Sequence, residues 1–229
     1  MNWAVAAALI ASVSGAADRK IPPAAELKGW TATFEPAAEL AATGRNPWFI
    51  LEPGYVLVLA GTEDGASVES VLTVLDETAT IDGASARAVE DRESKGGKLA
   101  EVTKDWFAIS QRTNAVYYLG EDVDNYENGK VSGHGGSWRS GVNGCVFGLI
   151  MPGLPLLAAR YLEEQAPGVD YDRGVVVGLD ETVVTPAGRF EHCLRIEESN
   201  ALDLKEGKSY KLYAPGVGIV QDGGMKLVR

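Results

Sequence analysis

The chain has 229 residues, 45% of them hydrophobic, and sets 21 Lys and Arg against 32 Asp and Glu for a net charge of −11. That excess of negative charge repels phosphate backbones and anionic headgroups, so no nucleic-acid partner is expected. It suits solubility outside the cytoplasm or the binding of cations, and the length suits one domain that buries roughly 70% of its unfolded surface.

Met1 to Val13 is an unbroken run of apolar and small residues, and Ser14-Gly15-Ala16-Ala17 supplies a small-residue cleavage group. Residues 1–17 therefore read as a secretory signal peptide, although only the α-amino group supplies positive charge ahead of the apolar core. The run is too short to span a bilayer as an anchor, no later stretch is long enough, and the expected location is periplasmic or extracellular. Residues 18–45 are rich in Ala, Pro and Glu and read as a leader or linker, with a helix-compatible run from Glu35 to Ala42 and Pro36 in its first turn. At Asn46-Pro47-Trp48-Phe49 the composition turns aromatic and aliphatic, which places a single β-rich domain over residues 46–229.

Strand signals then recur every ten residues or so between turn residues. Pro53-Gly54 leads into Tyr55 to Leu59; Val68 to Leu75 alternates; Asp82-Gly83 is a type I′ signal ahead of Ala84 to Asp91; Gly96-Gly97 turns into Lys98 to Ser110. Val116 to Leu119 follows, and Asn128-Gly129 is the strongest hairpin signal in the chain. Ala158 to Ala166, Tyr171 to Leu179, Thr182 to Thr185, Phe190 to Glu197, Ser209 to Tyr213, Ile219-Val220 and Met225 to Val228 complete the set. Connections this short make neighbouring strands antiparallel. The expected fold is all-β, an antiparallel meander forming a curled sheet, half-barrel or sandwich that protects its edges.

In an exported chain, Cys145 and Cys193 form either one disulfide, worth at most roughly 4 kcal/mol, or two buried thiols. Asn46-Pro-Trp-Phe, Leu51-Glu-Pro-Gly, Tyr118-Leu-Gly-Glu-Asp, Gly136-Ser-Trp, Ile150-Met-Pro, Thr185-Pro-Ala-Gly-Arg-Phe and Tyr213-Ala-Pro-Gly-Val-Gly together resemble an uncharacterised family of secreted bacterial β-domains, labelled TapB-like or grouped among domains of unknown function. The resemblance implies export and a β-rich fold and carries no catalytic residue. It also implies an aliphatic or small residue at position 145, from which Cys145 departs.

Catalytic signatures are sparse. Ser137 lacks the second Gly of a nucleophile elbow, since Arg139 stands there, and His134-Gly135-Gly136 lacks the rest of an esterase. His192 and Cys193 point to opposite faces of a strand, and no zinc spacing occurs. Carboxylates are the better candidates. Glu121, Asp122 and Asp124 precede the Asn-Gly turn, and Glu164 should lie near Asp170 or Asp172 across Pro167-Gly168, as a solvated acidic turn or an oxygen cluster able to hold Ca²⁺. No cofactor is expected. The sharpest surface candidates are Trp138 and Arg139, with Trp106 and Tyr117 bordering a cavity; Trp138 serves either as a stacking platform or as core, its indole N–H reaching a polar partner and Arg139 staying at the rim. The sequence points to an exported, non-enzymatic β-domain that binds an apolar or amphiphilic small molecule or a partner protein. A hydrolase using two convergent carboxylates is the alternative.

Overall fold

The computed structural model describes residues 20–63, 65–203, 205 and 207–229. The expected signal peptide, residues 1–17, lies outside the described residues. A one-turn helix α1 (Ala24–Leu27), a 3-10 turn (Ala37–Glu39) and three two-residue strands, β1 (Leu40–Ala41), β2 (Arg45–Asn46) and β3 (Phe49–Ile50), precede the main sheet. The first half of that sheet is a meander of β4 (Val56–Glu63), β5 (Ala66–Ile81), β6 (Ala84–Lys95), β7 (Lys98–Ser110) and β8 (Val116–Glu127). Short strands follow as β9 (Lys130–Gly133), β10 (Trp138–Arg139), β11 (Val146–Met151), β12 (Arg160–Leu162) and β13 (Glu164–Gln165). A second meander, β14 (Asp172–Thr185), β15 (Gly188–Asn200), β16 (Ser209–Ala214), β17 (Gly218–Asp222) and β18 (Met225–Leu227), completes the chain.

The turn chemistry works as the sequence implies. Asp82-Gly83 and Asn128-Gly129 adopt positive φ at both central residues, 51° and 85° in the first and 52° and 75° in the second, as a two-residue type I′ hairpin requires. Every pair of named strands is antiparallel.

The two meanders join through β18 on β4, giving the order β14-β15-β16-β17-β18-β4-β5-β6-β7-β8-β11. The remaining edges are bridged by one extended segment: β12 pairs with β14, β13 pairs with β11, and Glu163 alone separates β12 from β13. The sheet thus curls into a nearly closed barrel, which removes the exposed edges that a meander of this length would otherwise offer for aggregation.

Residues 31–45, part of the expected leader 18–45, are built into the domain. β1 pairs with β7, and Phe34, Ala37 and Leu40 cover an apolar outer face made by Ala84, Ala86, Ala88, Trp106, Ala108, Tyr117, Leu119 and Phe147. The small side chains along β6 leave room for this strap. Glu35 fixes it by accepting hydrogen bonds from Ser110 Oγ and Thr113 Oγ1, both at 2.7 Å, and the helix-compatible run condenses to a single 3-10 turn after Pro36. Both cysteines are buried and not joined in a disulfide, and they sit in separate clusters, Cys145 beside Trp138 and Ala166 and Cys193 beside Val183 and Leu212. Among the described residues, no helix is long and apolar enough to cross a membrane.

Candidate functional site: a barrel lumen with an apolar floor and an acidic wall

The barrel encloses a cavity of about 330 Å³, within the range of small-ligand sites. Its lining follows a single rule on strand after strand. On β5 the inward residues run Val74, Leu72, Ser70; on β6 they run Val89, Asp91, Glu93; on β7, Phe107 then Asp105; on β16, Tyr213 then Lys211; on β17, Ile219 then Asp222. The strand register aligns these series, with Val74 opposite Val89, Leu72 opposite Asp91, Ser70 opposite Glu93 and Lys211 opposite Asp222. Antiparallel neighbours therefore all become polar toward the same end of the barrel.

The apolar end is closed by the β2–β3 hairpin, which brings Trp48, Phe49 and Ile50 against the lumen. Asn46 anchors that hairpin: its Nδ2 donates to the carbonyls of Asn114 at 2.9 Å and Pro152 at 3.0 Å, and its Oδ1 accepts from the Trp48 N–H at 2.8 Å. Phe49 meets Phe107 edge-on at 4.8 Å, and Phe107 stacks on Tyr118 at 5.1 Å.

A bulge decides which side chains of β8 face inward. Trp106 opposes Gly120 but Phe107 opposes Tyr118, so Leu119 is the extra residue, and both Tyr118 and Glu121 end up in the lumen. Gly120 is required there, because its φ is +138° and a Cβ would lie 2.4 Å from the carbonyl oxygen of Trp138 on β10.

Among the described residues, the wall beyond the floor carries Asp91, Glu93, Asp105, Glu121, Glu163, Glu164, Asp170, Asp172 and Asp222, nine carboxyl groups, with Lys211 as the one ammonium. Lys211 Nζ reaches Glu198 Oε2 at 3.0 Å and Asp222 at 4.0 Å. Burial lowers its proton affinity, but Glu198 and Asp222 outweigh that and hold it well above the ordinary lysine value. One ammonium cannot balance nine carboxyls. Burial accordingly pushes Asp91 up to about 6 even though Ser70 Oγ donates to it at 2.7 Å. Burial, followed by the charges of Asp91 and Glu101, takes Glu93 to about 7. Asp105 rises to about 7 by burial, partly offset by the Tyr118 hydroxyl that donates to it at 2.7 Å. Burial and then the neighbouring Asp105 lift Glu121 to about 9. Glu163 and Glu164 are driven well above the carboxylate range, first by burial and then by Glu198 and by Asp172, respectively.

Glu164, Asp170 and Asp172 each bring a carboxylate oxygen within 4.8 Å of the others, as the turn at Pro167-Gly168 implied. The backbone N–H of Asp172 donates to Glu164 at 3.0 Å, and Tyr171 N–H and Asn200 Nδ2 donate to Asp170. This group has the oxygen chemistry of a hard divalent cation, short of the six or more ligands that Ca²⁺ takes.

The four residues singled out from sequence lie elsewhere. Trp106 and Arg139 come together on the outer face, the guanidinium 4.9 Å from the ring centre, and both engage Asp122. Tyr117 packs on that same face against Phe34 and Phe147. Trp138 is only 5% exposed and meets Tyr118 edge-on at 5.2 Å, and its indole nitrogen has no hydrogen-bond partner among the described residues. Arg139 is held between Trp106 and Asp122 rather than free at a rim. Ser137 accepts the Val123 N–H at 2.8 Å, a structural role, and His134 is an exposed side chain beside Asp124 at 2.8 Å. Sequence reasoning missed Tyr118 and most of the lumen carboxyls; their signal was an acidic residue two positions from an aliphatic or aromatic one, on the same strand face, as in Val89/Asp91 and Asp105/Phe107.

Comparison with known proteins adds nothing to the geometry: no family model, no curated protein and no solved structure matches this chain.

Proposed function

We propose that the protein is an exported, non-enzymatic carrier or sensor that takes one amphiphilic small molecule into the barrel lumen. The observation that supports this is the polarity gradient repeated along β5, β6, β7, β16 and β17, which lines one cavity with an apolar floor of Trp48, Phe49, Leu57, Leu72 and Ile150 and a polar wall. Small antiparallel barrels hold ligands in such interiors, where apolar area supplies affinity and a few polar groups fix orientation. The apolar leader over residues 1–17 and the resemblance to secreted β-domains support export.

Titration with 1-N-phenylnaphthylamine, a neutral dye that fluoresces in apolar surroundings, tests the lumen. One-to-one binding is expected, and it should be abolished by Leu72→Trp, which fills the floor. No binding, or equal binding to the filled variant, refutes the proposal.

One observation favours a second reading. A group of the acidic side chains converges in the lumen while others, such as Asp76 and Asp180, stay exposed, and Glu121, which holds its proton to about 9, lies beside Asp105, an acid-and-base arrangement that a carboxylate-dependent hydrolase would need. Turnover of a glycoside or ester that Glu121→Gln eliminates would establish that reading over the carrier.

A further inference from the structure

The apolar end of the barrel carries leucines that the fold itself does not use. β11 leaves the lumen floor at Ile150 and Met151, and the chain reaches β12 through Pro152-Gly153-Leu154-Pro155-Leu156-Leu157-Ala158-Ala159. In this loop the two prolines are buried and the three leucines face out, Leu154 at 78%, Leu156 at 61% and Leu157 at 63% exposed. That reverses the usual order, because Leu is among the most buried residue types and Pro is mostly exposed. The loop is also tied down. The Pro152 carbonyl accepts from Asn46 Nδ2 at 3.0 Å, and Gly153 sits so close to Thr113 that a Cβ would stand 1.8 Å from its carbonyl oxygen. The Ala158 N–H donates to the Val176 carbonyl at 2.8 Å, and the Ala159 N–H to that of Leu156 at 2.9 Å. Asn46 also anchors the β2–β3 hairpin, so the leucines are held beside the closed, apolar end of the lumen. Clustered exposed apolar side chains on a fixed loop mark an interaction surface, unlike single ones scattered over a protein.

We propose that this loop docks the barrel on a zwitterionic bilayer, with Leu154, Leu156 and Leu157 seated in the lipid surface and the strands outside it. Three observations select lipid over protein. No side chain from 152 to 159 carries a hydrogen-bonding group, and no charged residue stands between Arg139 and Arg160, whereas a protein interface carries about one hydrogen bond per 100–200 Å². Three leucines, at up to about 120 Å² of side chain each, offer at most about 360 Å², under half of the roughly 800 Å² that each partner brings to a stable complex or dimer. Attachment to a bilayer has no such threshold and strengthens with each apolar group inserted. The uncharged stretch ends at Arg160, which is exposed, lies over the Trp30 ring at 5.1 Å and pairs with no carboxylate among the described residues. An aromatic ring with a guanidinium on it suits the headgroup level, where phosphates meet the cation and the ring stays half in the apolar layer. The net charge of −11 repels anionic lipids, which leaves zwitterionic headgroups as the match. This surface goes beyond the carrier reading and stands without it.

The test is flotation with vesicles of phosphatidylcholine alone and of phosphatidylcholine mixed with phosphatidylglycerol. It uses residues 18–229, which keep the described fold without the apolar run at 1–17 that would itself enter lipid. The native chain is expected to float with phosphatidylcholine, to gain nothing from the anionic lipid, and to stay bound as salt is raised. Leu154→Ser, Leu156→Ser and Leu157→Ser combined should lower the partition coefficient at least tenfold and leave the thermal melt unchanged, as side chains this exposed imply. Leu154→Trp should bind more tightly than the native chain and shift its added indole emission to the blue on vesicles, which keeps the test independent of how the triple variant folds. No flotation of the native chain overturns the proposal, and so does equal flotation of the triple variant. Flotation that requires the anionic lipid and is lost in salt overturns it in favour of surface charge. Dimerisation without flotation, abolished by the triple variant, overturns it in favour of a second copy. Dye binding in the lumen is scored separately, and its failure removes the carrier reading while leaving the docking surface in place.

Discussion

Asp105 offers the cleanest measurement of what the acidic lumen costs the fold. Burial raises its carboxyl from 3.8 to about 7, so between those values the folded chain keeps a proton that the unfolded chain has released. Stability from this group is therefore fully present below pH about 4 and is lost as the pH rises through about 7. A difference of about 3 units at about 1.4 kcal/mol each gives a ceiling near 4 kcal/mol. The side chain keeps part of its surface on the lumen, where water screens it, so about 2–4 kcal/mol is expected. Asp105→Asn keeps the size of the group and an oxygen for the Tyr118 hydroxyl, which donates at 2.7 Å, and it cannot titrate. Urea unfolding at pH 5 and pH 8 should show the native protein losing stability with rising pH. Only the part of that interval from pH 5 to about 7, about 2 units, lies in this window, so the variant should lose about 1–3 kcal/mol less and exceed the native protein at pH 8. Glu93 and Glu121, which also titrate above pH 5, leave a residual slope in both. Glu35 and Glu197 are held below the ordinary glutamate value, so their contribution fades only at acid pH and does not enter this window. Two curves that run parallel from pH 5 to pH 8 would refute the claim that Asp105 is a buried, uncompensated acid.

Trp138→Ala should cost roughly 3–5 kcal/mol and lower the melting temperature sharply, because the indole is enclosed by Tyr118, Cys145 and Ala166; an unchanged melt would return Trp138 to the surface. Leu40→Ala should cost about 2–4 kcal/mol in chemical unfolding, since Leu40 is 4% exposed in the strap over β6 and β7, whereas a side chain in a loose leader would cost nothing measurable. Gly129→Val should cost about 1–3 kcal/mol through its positive φ alone, as nothing lies within 4 Å of where its Cβ would stand; calorimetry that finds no loss refutes the turn assignment. If the proposed export holds, N-terminal sequencing of protein expressed with its leader should start at Ala17 or Asp18, and intact Met1 on folded protein would remove the expectation of a cleaved leader.

What the sequence revealed and what it hid divide along a physical line. Antiparallel order, the hairpins at Asp82-Gly83 and Asn128-Gly129, and the proximity of Glu164 to Asp170 and Asp172 were legible because each is fixed by residues close in the chain. The strap was misleading because Ala and Thr dominate its composition, while its few anchoring side chains, Phe34, Glu35 and Leu40, show no period. The choice between Tyr117 and Tyr118 could not be made at all: alternation says only that they face apart, and the bulge at Leu119 that sets the parity for Glu121 depends on β10 crossing Gly120.

The lumen itself was hidden by the rule used to find strands. Ala84 to Asp91 and Val116 to Leu119 were expected to end where apolar alternation ends, yet β6 runs on to Lys95 and β8 to Glu127. The residues added are the ones that carry Glu93 and Glu121 into the cavity. A strand whose inward positions turn acidic while its outward positions stay polar has no hydrophobic period. Truncated strands in such a sequence therefore mark where the barrel interior changes from core to site. The hydrogen bonds of the ladder continue through those positions, Asp91 to Thr103 and Asp105 to Glu121, so the backbone holds the carboxyls in place although their side chains give the fold little reason to bury them. A group of buried acids kept in register by the sheet is stable only if protons or a cation neutralise it, and this need makes the occupant of the lumen part of the energetics of the fold.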